Sequence, residues 1–156
     1  MIVEDYQVNA QTLAIIPYGD NMSKIIEKNA IFFVKKKALK VMENSCKFFG
    51  SSLIGRSQGT KDMIGVNYKS PIIVEETCPI IVFPTDSPRS SNCSWICLKN
   101  IDNYTINDNM GSRITFKNGY NLDVDLSYGS LDNQVLRASR LYQILTERKM
   151  VKNINL

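Results

Sequence analysis

Four cysteines, Cys46, Cys78, Cys93 and Cys97, are the side chains best equipped for covalent or metal chemistry, and there is no histidine to partner them. Without imidazole there is no Cys-His or Ser-His dyad and no imidazole metal ligand. The usual general base near neutral pH is missing as well. A zinc site announces itself as two closely spaced cysteine pairs, and only Cys93 and Cys97 are close. Cys46 sits in Ser45-Cys46-Lys47-Phe48-Phe49, where it reads as a small buried hydrophobe. The expectation is packed thiols, with no metal, no cofactor and no enzymatic role. Cations are then the remaining chemical resource.

The chain carries 19 basic and 15 acidic residues, a net charge of +4. Their distribution says more than the total. From Lys35 to Lys69 lie eight cations, opposed only by Glu43 and Asp62. Residues 137 to 152 add Arg137, Arg140, Arg148, Lys149 and Lys152 against Glu147, and the segment between is net acidic. Two basic regions with a counterweight elsewhere can turn a positive face to a polyanion. Solvated charge clusters without a partner remain the competing reading.

Within the first basic region, Gly50 to Lys61 reads Gly-Ser-Ser-Leu-Ile-Gly-Arg-Ser-Gln-Gly-Thr-Lys. Its small residues predict a loop from which Arg56 and Lys61 project, and whose free N–H groups approach phosphate oxygens. The closing Gly-Lys-Ser/Thr of a P-loop is absent. A plain structural turn and an anion site both fit this stretch.

The elements that must position these residues follow from periodicity. Leu13–Ile16, Ile25–Ile26, Ala30–Val34, Ile72–Val74, Ile80–Phe83 and Ser94–Leu98 are β-branched or aromatic runs, expected as strands. Pro17, Pro71, Pro79 and Pro84 mark strand ends. From Ala38 to Phe49 the period becomes helical through Leu39, Met42, Cys46 and Phe49, with Gly50 as the stop; Phe48 and Phe49 are assigned to the core. Around Asn118-Gly119, a three-residue loop pairs Phe116 with Tyr120 and Ile114 with Leu122, matching polarity across the hairpin and leaving Gly119 left-handed. A last helix runs from about Leu131 to Met150, capped by Ser130, with Leu131, Val135, Ala138, Tyr142 and Leu145 as its stripe. That stripe fits a core face, with a dimer seam as the other use.

These elements describe an α+β fold of mostly antiparallel strands, one short internal helix and a long C-terminal helix. With 156 residues, 44% hydrophobic and 22% charged, the chain is expected to form one domain, 1–156, with a real core. No apolar run approaches the roughly 20 residues that cross a bilayer, and the start, Met1-Ile2-Val3-Glu4-Asp5, lacks the character of a signal peptide. A cytosolic protein with no membrane partner is the expectation.

Several blocks carry more than pattern. Ser45-Cys46-Lys47-Phe48-Phe49-Gly50-Ser51-Ser52, followed by Gly55-Arg56 and Gly59-Thr60, resembles the ComK family of bacterial competence transcription factors. Further blocks keep the family's order: Tyr6-Gln7-Val8-Asn9, Ser23 to Lys28, Phe83-Pro84-Thr85, Cys93-Ser94-Trp95-Ile96, Thr115 to Gly119, and Ser127-Tyr128 through Val135. The likeness runs from about residue 6 to 145. It departs at Ser70-Pro71-Ile72, where the family has Pro-Pro-Ile. Longer members also continue well past the position of Leu156. In that family the region beyond is associated with regulated proteolysis through an adaptor, and with assembly or activation.

The resemblance implies a sequence-specific DNA-binding activator of DNA-uptake genes, cytoplasmic and nucleoid-associated. It implies reading of paired A/T-rich boxes in double-stranded DNA, mainly through the minor groove, as a homodimer or higher oligomer. A narrow A/T minor groove concentrates negative potential and attracts arginine and lysine, which suits the charge distribution. The candidate DNA-binding residues are Lys47, Ser51, Ser52, Arg56, Lys61, Lys69 and Arg89, with Arg56 expected in the groove, the lysines and Arg89 on phosphates, and the serines donating to the DNA backbone. The alternative is a non-activating protein-interaction module whose basic face meets an acidic partner.

Overall fold

A sheet whose strands alternate between two buried faces organises the molecule. The computed structural model describes the backbone of residues 1–154 and the side chains through Met150. Among the described residues ten strands form in chain order: β1 Ile2–Val3, β2 Thr12–Tyr18, β3 Met22–Glu27, β4 Ile31–Val34, β5 Ile72–Glu75, β6 Ile80–Pro84, β7 Trp95–Cys97, β8 Ile101–Ile106, β9 Ser112–Phe116 and β10 Asn121–Val124. Three α-helices accompany them: α1 Ala38–Phe48, α2 Leu53–Ile64 and α3 Tyr128–Ile154. Seven strands make one sheet in the order β1-β4-β3-β2-β7-β6-β5, and β10-β9-β8 make a small meander. Every pairing is antiparallel except β1 with β4. The fold is α+β, as expected.

The large sheet is covered on both sides, which is why its strands read as nearly continuous apolar runs. Ile15, Ile25, Ile72, Val74, Val82 and Trp95 point to one core with Ala38, Val41, Met42 and Cys46 of α1. Their neighbours Ala14, Ile26, Ile73, Ile81, Phe83 and Ile96 point to the other, against Leu131, Ala138, Leu141 and Leu145 of α3 and Ile114 and Phe116 of β9. A period of two along each strand thus distributes its side chains between two cores. Leu131, Ala138 and Leu145 of the α3 stripe are buried and Val135 packs beside them, so the stripe serves the core, but Tyr142 is exposed and Leu141, three residues after Ala138, is buried in its place.

The β9–β10 hairpin has the expected register. Ile114 pairs with Leu122, Phe116 N–H donates to the Tyr120 carbonyl at 2.9 Å, and Gly119 has φ +91°. Other expectations are corrected. The segment 50–61 is not a loop: Leu53–Ile64 is helical, so the chain has two internal helices where one was expected. Strand β2 continues through Pro17, which pairs with Ser23. Helix α3 starts one turn early at Tyr128, and Ser127 rather than Ser130 supplies the capping hydroxyl, accepting from Ser130 N–H at 3.2 Å. Strand β8 forms although polar residues interrupt the apolar pattern from Ile101 to Ile106.

Helix α2 lies along β5, the end strand of the large sheet. Leu53, at its start, packs on the α1 core, whereas Met63 and Ile64, at its end, pack on the α3 core. It therefore spans from one layer to the other and covers a sheet edge that would otherwise be open. Thr60 is buried and fastens the helix by donating to the Pro71 carbonyl at 2.6 Å.

Candidate nucleic-acid interface

Four residues, Phe49 to Ser52, join α1 to α2. Gly50 N–H donates to the Lys47 carbonyl and Ser51 N–H to the Cys46 carbonyl, each at 3.0 Å. This is a Schellman closure, and it needs the left-handed residue that Gly50 supplies at φ +84°. Ser52 then caps α2 by accepting from Gly55 N–H at 2.9 Å. A Cβ on Gly55 would stand 3.0 Å from that hydroxyl, so a small residue keeps the cap compact. Gly65 ends the helix at φ +72°. The serines and glycines that argued for a loop are the punctuation of two helices.

The corner presents cations outward. Lys40 and Lys47 are both exposed and lie seven residues apart, hence on one helical face. On α2 the outward residues are Ile54, Gln58 and Lys61, with Asp62 beside them. Ser51 and Ser52 are half-buried at the joint. Thus Lys47, Ser51, Ser52 and Lys61 belong to one structural unit.

Arg56 belongs to the same unit but is turned inward. Its side chain is 18% exposed, with Nη1 3.7 Å from Glu76 Oε2 in the β5–β6 turn. Its charge also reaches Cys46, partly offsetting the burial that pushes that thiol up to about 11. On a helix, Arg56 lies about 140° from Lys61, so the two cannot share a face. Sequence alone could not settle this, because the orientation depends on the strands α2 packs against.

Lys69 and Arg89 occupy other ground. Lys69 has φ +50° and holds its Nζ 5.5 Å from the centre of the Tyr68 ring. Together with Leu53 and Ser57 it lines a cleft of about 190 Å³. Asp86, beside it, is held below the usual carboxylate range by the Ser87 N–H, by the Ser90 side chain, and by Lys69. Arg89 is exposed and lines a different cleft, about 440 Å³, with Lys37 and Leu39 at the start of α1. The 11 residues of α1 separate that end from Lys47 by roughly 16 Å. The second basic region flanks α2 instead: Arg137 donates to the Tyr68 carbonyl at 3.2 Å, and Lys149 donates to the Glu76 carbonyl. The Lys152 side chain lies outside the described residues.

Two residues assigned to the core are on the surface. Phe48 is 65% exposed and Phe49 36%. Both keep the helical phase of the buried α1 stripe, yet that stripe runs past the part of the core that covers it. Periodicity gives the face of a residue and is silent on where the opposite layer ends.

A family model described as ComK protein matches residues 3–150. The chain belongs to the ComK family. The competence transcription factor of Bacillus subtilis (strain 168) is similar, with 37% identity over 142 residues that span 89% of this chain and 74% of that protein. No solved structure matches the chain. Among the described residues no group of three or more cysteine or carboxylate side chains is gathered to hold a metal, and no helix is long and apolar enough to cross a membrane.

Proposed function

We propose that this ComK-family chain is a sequence-specific DNA-binding regulator that activates competence genes by reading paired A/T-rich boxes, chiefly through the minor groove. The relative's description as a competence transcription factor supports the regulatory role. The observation that carries DNA contact is the α1–α2 pair, two helices joined by a short, hydrogen-bonded turn, with Lys47 exposed at the joint and Lys40 and Lys61 exposed further along each helix. Lys47 and Lys61 neutralise phosphates of one duplex, and the Ser51 hydroxyl donates to its backbone. Arg56 holds α2 in place from beneath, while Lys69 and Arg89, which lie in separate clefts away from the corner, serve more distant phosphates. Narrow A/T grooves strengthen the field that draws such cations in. Minor-groove edges distinguish A·T from G·C and little else, which is why boxes of that class are the target.

One domain of this kind covers little DNA, so two boxes call for two or more copies, with a proteolytic adaptor as a further protein partner. The test is fluorescence anisotropy at two salt concentrations with two duplexes of equal length. One carries two A/T boxes about one helical turn apart, and the other is G/C-scrambled. Tight, salt-sensitive binding that prefers the A/T duplex is expected. Equal binding to both would reduce the corner to a basic surface without sequence preference, and binding to neither would remove DNA as the partner.

A further inference from the structure

We propose that Phe48, buttressed by Phe49, is an apolar wedge that enters the minor groove and unstacks one base step of an A/T box. This rests on the DNA-binding reading above and names how the duplex is recognised.

The two rings project from the last turn of α1 and its closing residue, with centroids 5.1 Å apart at 85°. Phe49, the less exposed of the pair, therefore braces the outer ring edge to face. Their support is rigid, because the Schellman bonds of Gly50 and Ser51 fix the chain immediately behind them. Beyond the rings the chain is small: Gly50 has open space where a Cβ would stand, so a sugar-phosphate strand can pass close. Ile54, on the first turn of α2, is a further exposed apolar side chain, at 73%.

Charge selects the occupant. Exposed Lys47 adjoins the tip, and Lys40 lies on the same flank. A two-fold contact between copies through this tip would bring these like charges together, whereas a duplex offers phosphates on both sides of a groove whose floor accepts apolar side chains. Proteins that insert phenylalanine between base pairs trade lost stacking for a bent duplex and a larger contact. Pyrimidine–purine steps such as TA resist this least. The wedge therefore favours boxes containing a TA step over uninterrupted A-tracts, a distinction that base-edge hydrogen bonding in the minor groove cannot make.

The experiment places 2-aminopurine at the TA step of an A/T-box duplex and compares the parent with Phe48→Ala and Phe48→Leu. Thermal melting of each variant serves as the folding control, and molar mass by light scattering as the assembly control. Parent protein should raise the 2-aminopurine fluorescence on saturation. Phe48→Ala should bind about ten- to a hundredfold more weakly without the rise, and Phe48→Leu should recover part of both. A parent that binds the A/T duplex with no fluorescence rise overturns the wedge and leaves DNA binding intact. A parent with no A/T preference instead overturns the reading beneath it. A fall in molar mass on Phe48→Ala, with fluorescence unchanged, would assign the tip to a second copy and also overturn the wedge.

Discussion

Arg56 Nη1 stands 3.7 Å from Glu76 Oε2, tying α2 to the β5–β6 turn while Lys149 donates to the carbonyl of the same glutamate. Three elements thus converge on Glu76, and the arginine is their link to the α1–α2 corner. Arg56→Ala is expected to lower stability by about 1–2 kcal/mol, through lost packing of its stem more than lost charge. It should weaken binding to A/T and G/C duplexes in the same proportion. Melting curves and paired anisotropy titrations check this. A loss confined to the A/T duplex, with melting unchanged, would instead put the guanidinium in the groove.

Phosphate contacts have a signature of their own. Lys47→Ala and Lys61→Ala should each flatten the slope of log affinity against log salt by about 0.9, weakening all sequences alike. Arg113 supplies the control, since its guanidinium is engaged with Asp123 at 2.8 and 3.1 Å on the small sheet. Arg113→Ala should leave the slope where it was. Equal slopes for all three variants would remove the corner from the interface.

Ser45 links the N-terminal segment to α1. Its buried hydroxyl accepts from Val8 N–H at 3.0 Å and donates to the Val41 carbonyl at 2.7 Å. Ser45→Ala orphans a buried N–H, and such a donor costs about 1–3 kcal/mol. Urea denaturation should show that loss with an unchanged slope. At the corner, Ser52→Ala removes only the α2 cap, about 1 kcal/mol, and its effect should appear as faster amide exchange in the first turn of α2.

What could be read from residues alone was whatever local chemistry decides. The Phe116–Tyr120 register followed from matching polarity across a turn that needs Gly119 left-handed, and α1 followed from Met42 and Cys46 at helical spacing. Helix α2 was lost because Gly55, Gly59, Ser57 and Thr60 are weak helix formers. Its stability comes from Leu53, Thr60, Met63 and Ile64 packed along a sheet edge that had yet to be placed. Ser52 before it and Gly65 after it were its legible signals. At the candidate site, the grouping of Lys47, Ser51, Ser52 and Lys61 was legible as one block of sequence. The inward turn of Arg56 and the exposure of Phe48 depend on where the opposing layers begin and end, which spacing does not encode.

The cysteines give the last prediction, and its sign follows from burial. Cys46, Cys93 and Cys97 are buried and Cys78 is exposed. Burial pushes the Cys46 and Cys93 thiols up to about 11 and Cys97 to about 12, from an ordinary value of 9.0. Tyr6 is raised too, by burial and then by its hydrogen bond to Glu27. For each group the folded state retains a proton that the unfolded chain has released, so stability falls as pH rises. Their contribution is complete below the unfolded values, near 9.0 for the thiols, and drains away as the pH climbs through the folded ones. Denaturant midpoints should therefore be flat from neutrality to about pH 8.5 and decline beyond it. Cys97→Ala, though less stable at neutral pH for want of a buried side chain, should show a shallower decline. At pH 8 a chromogenic disulfide reagent should modify Cys78 alone at a rate independent of denaturant, while the other three thiols react only as the protein unfolds. Rapid modification of Cys46 in the folded protein would mean that the floor of the α1–α2 corner opens, and with it the support of Phe48.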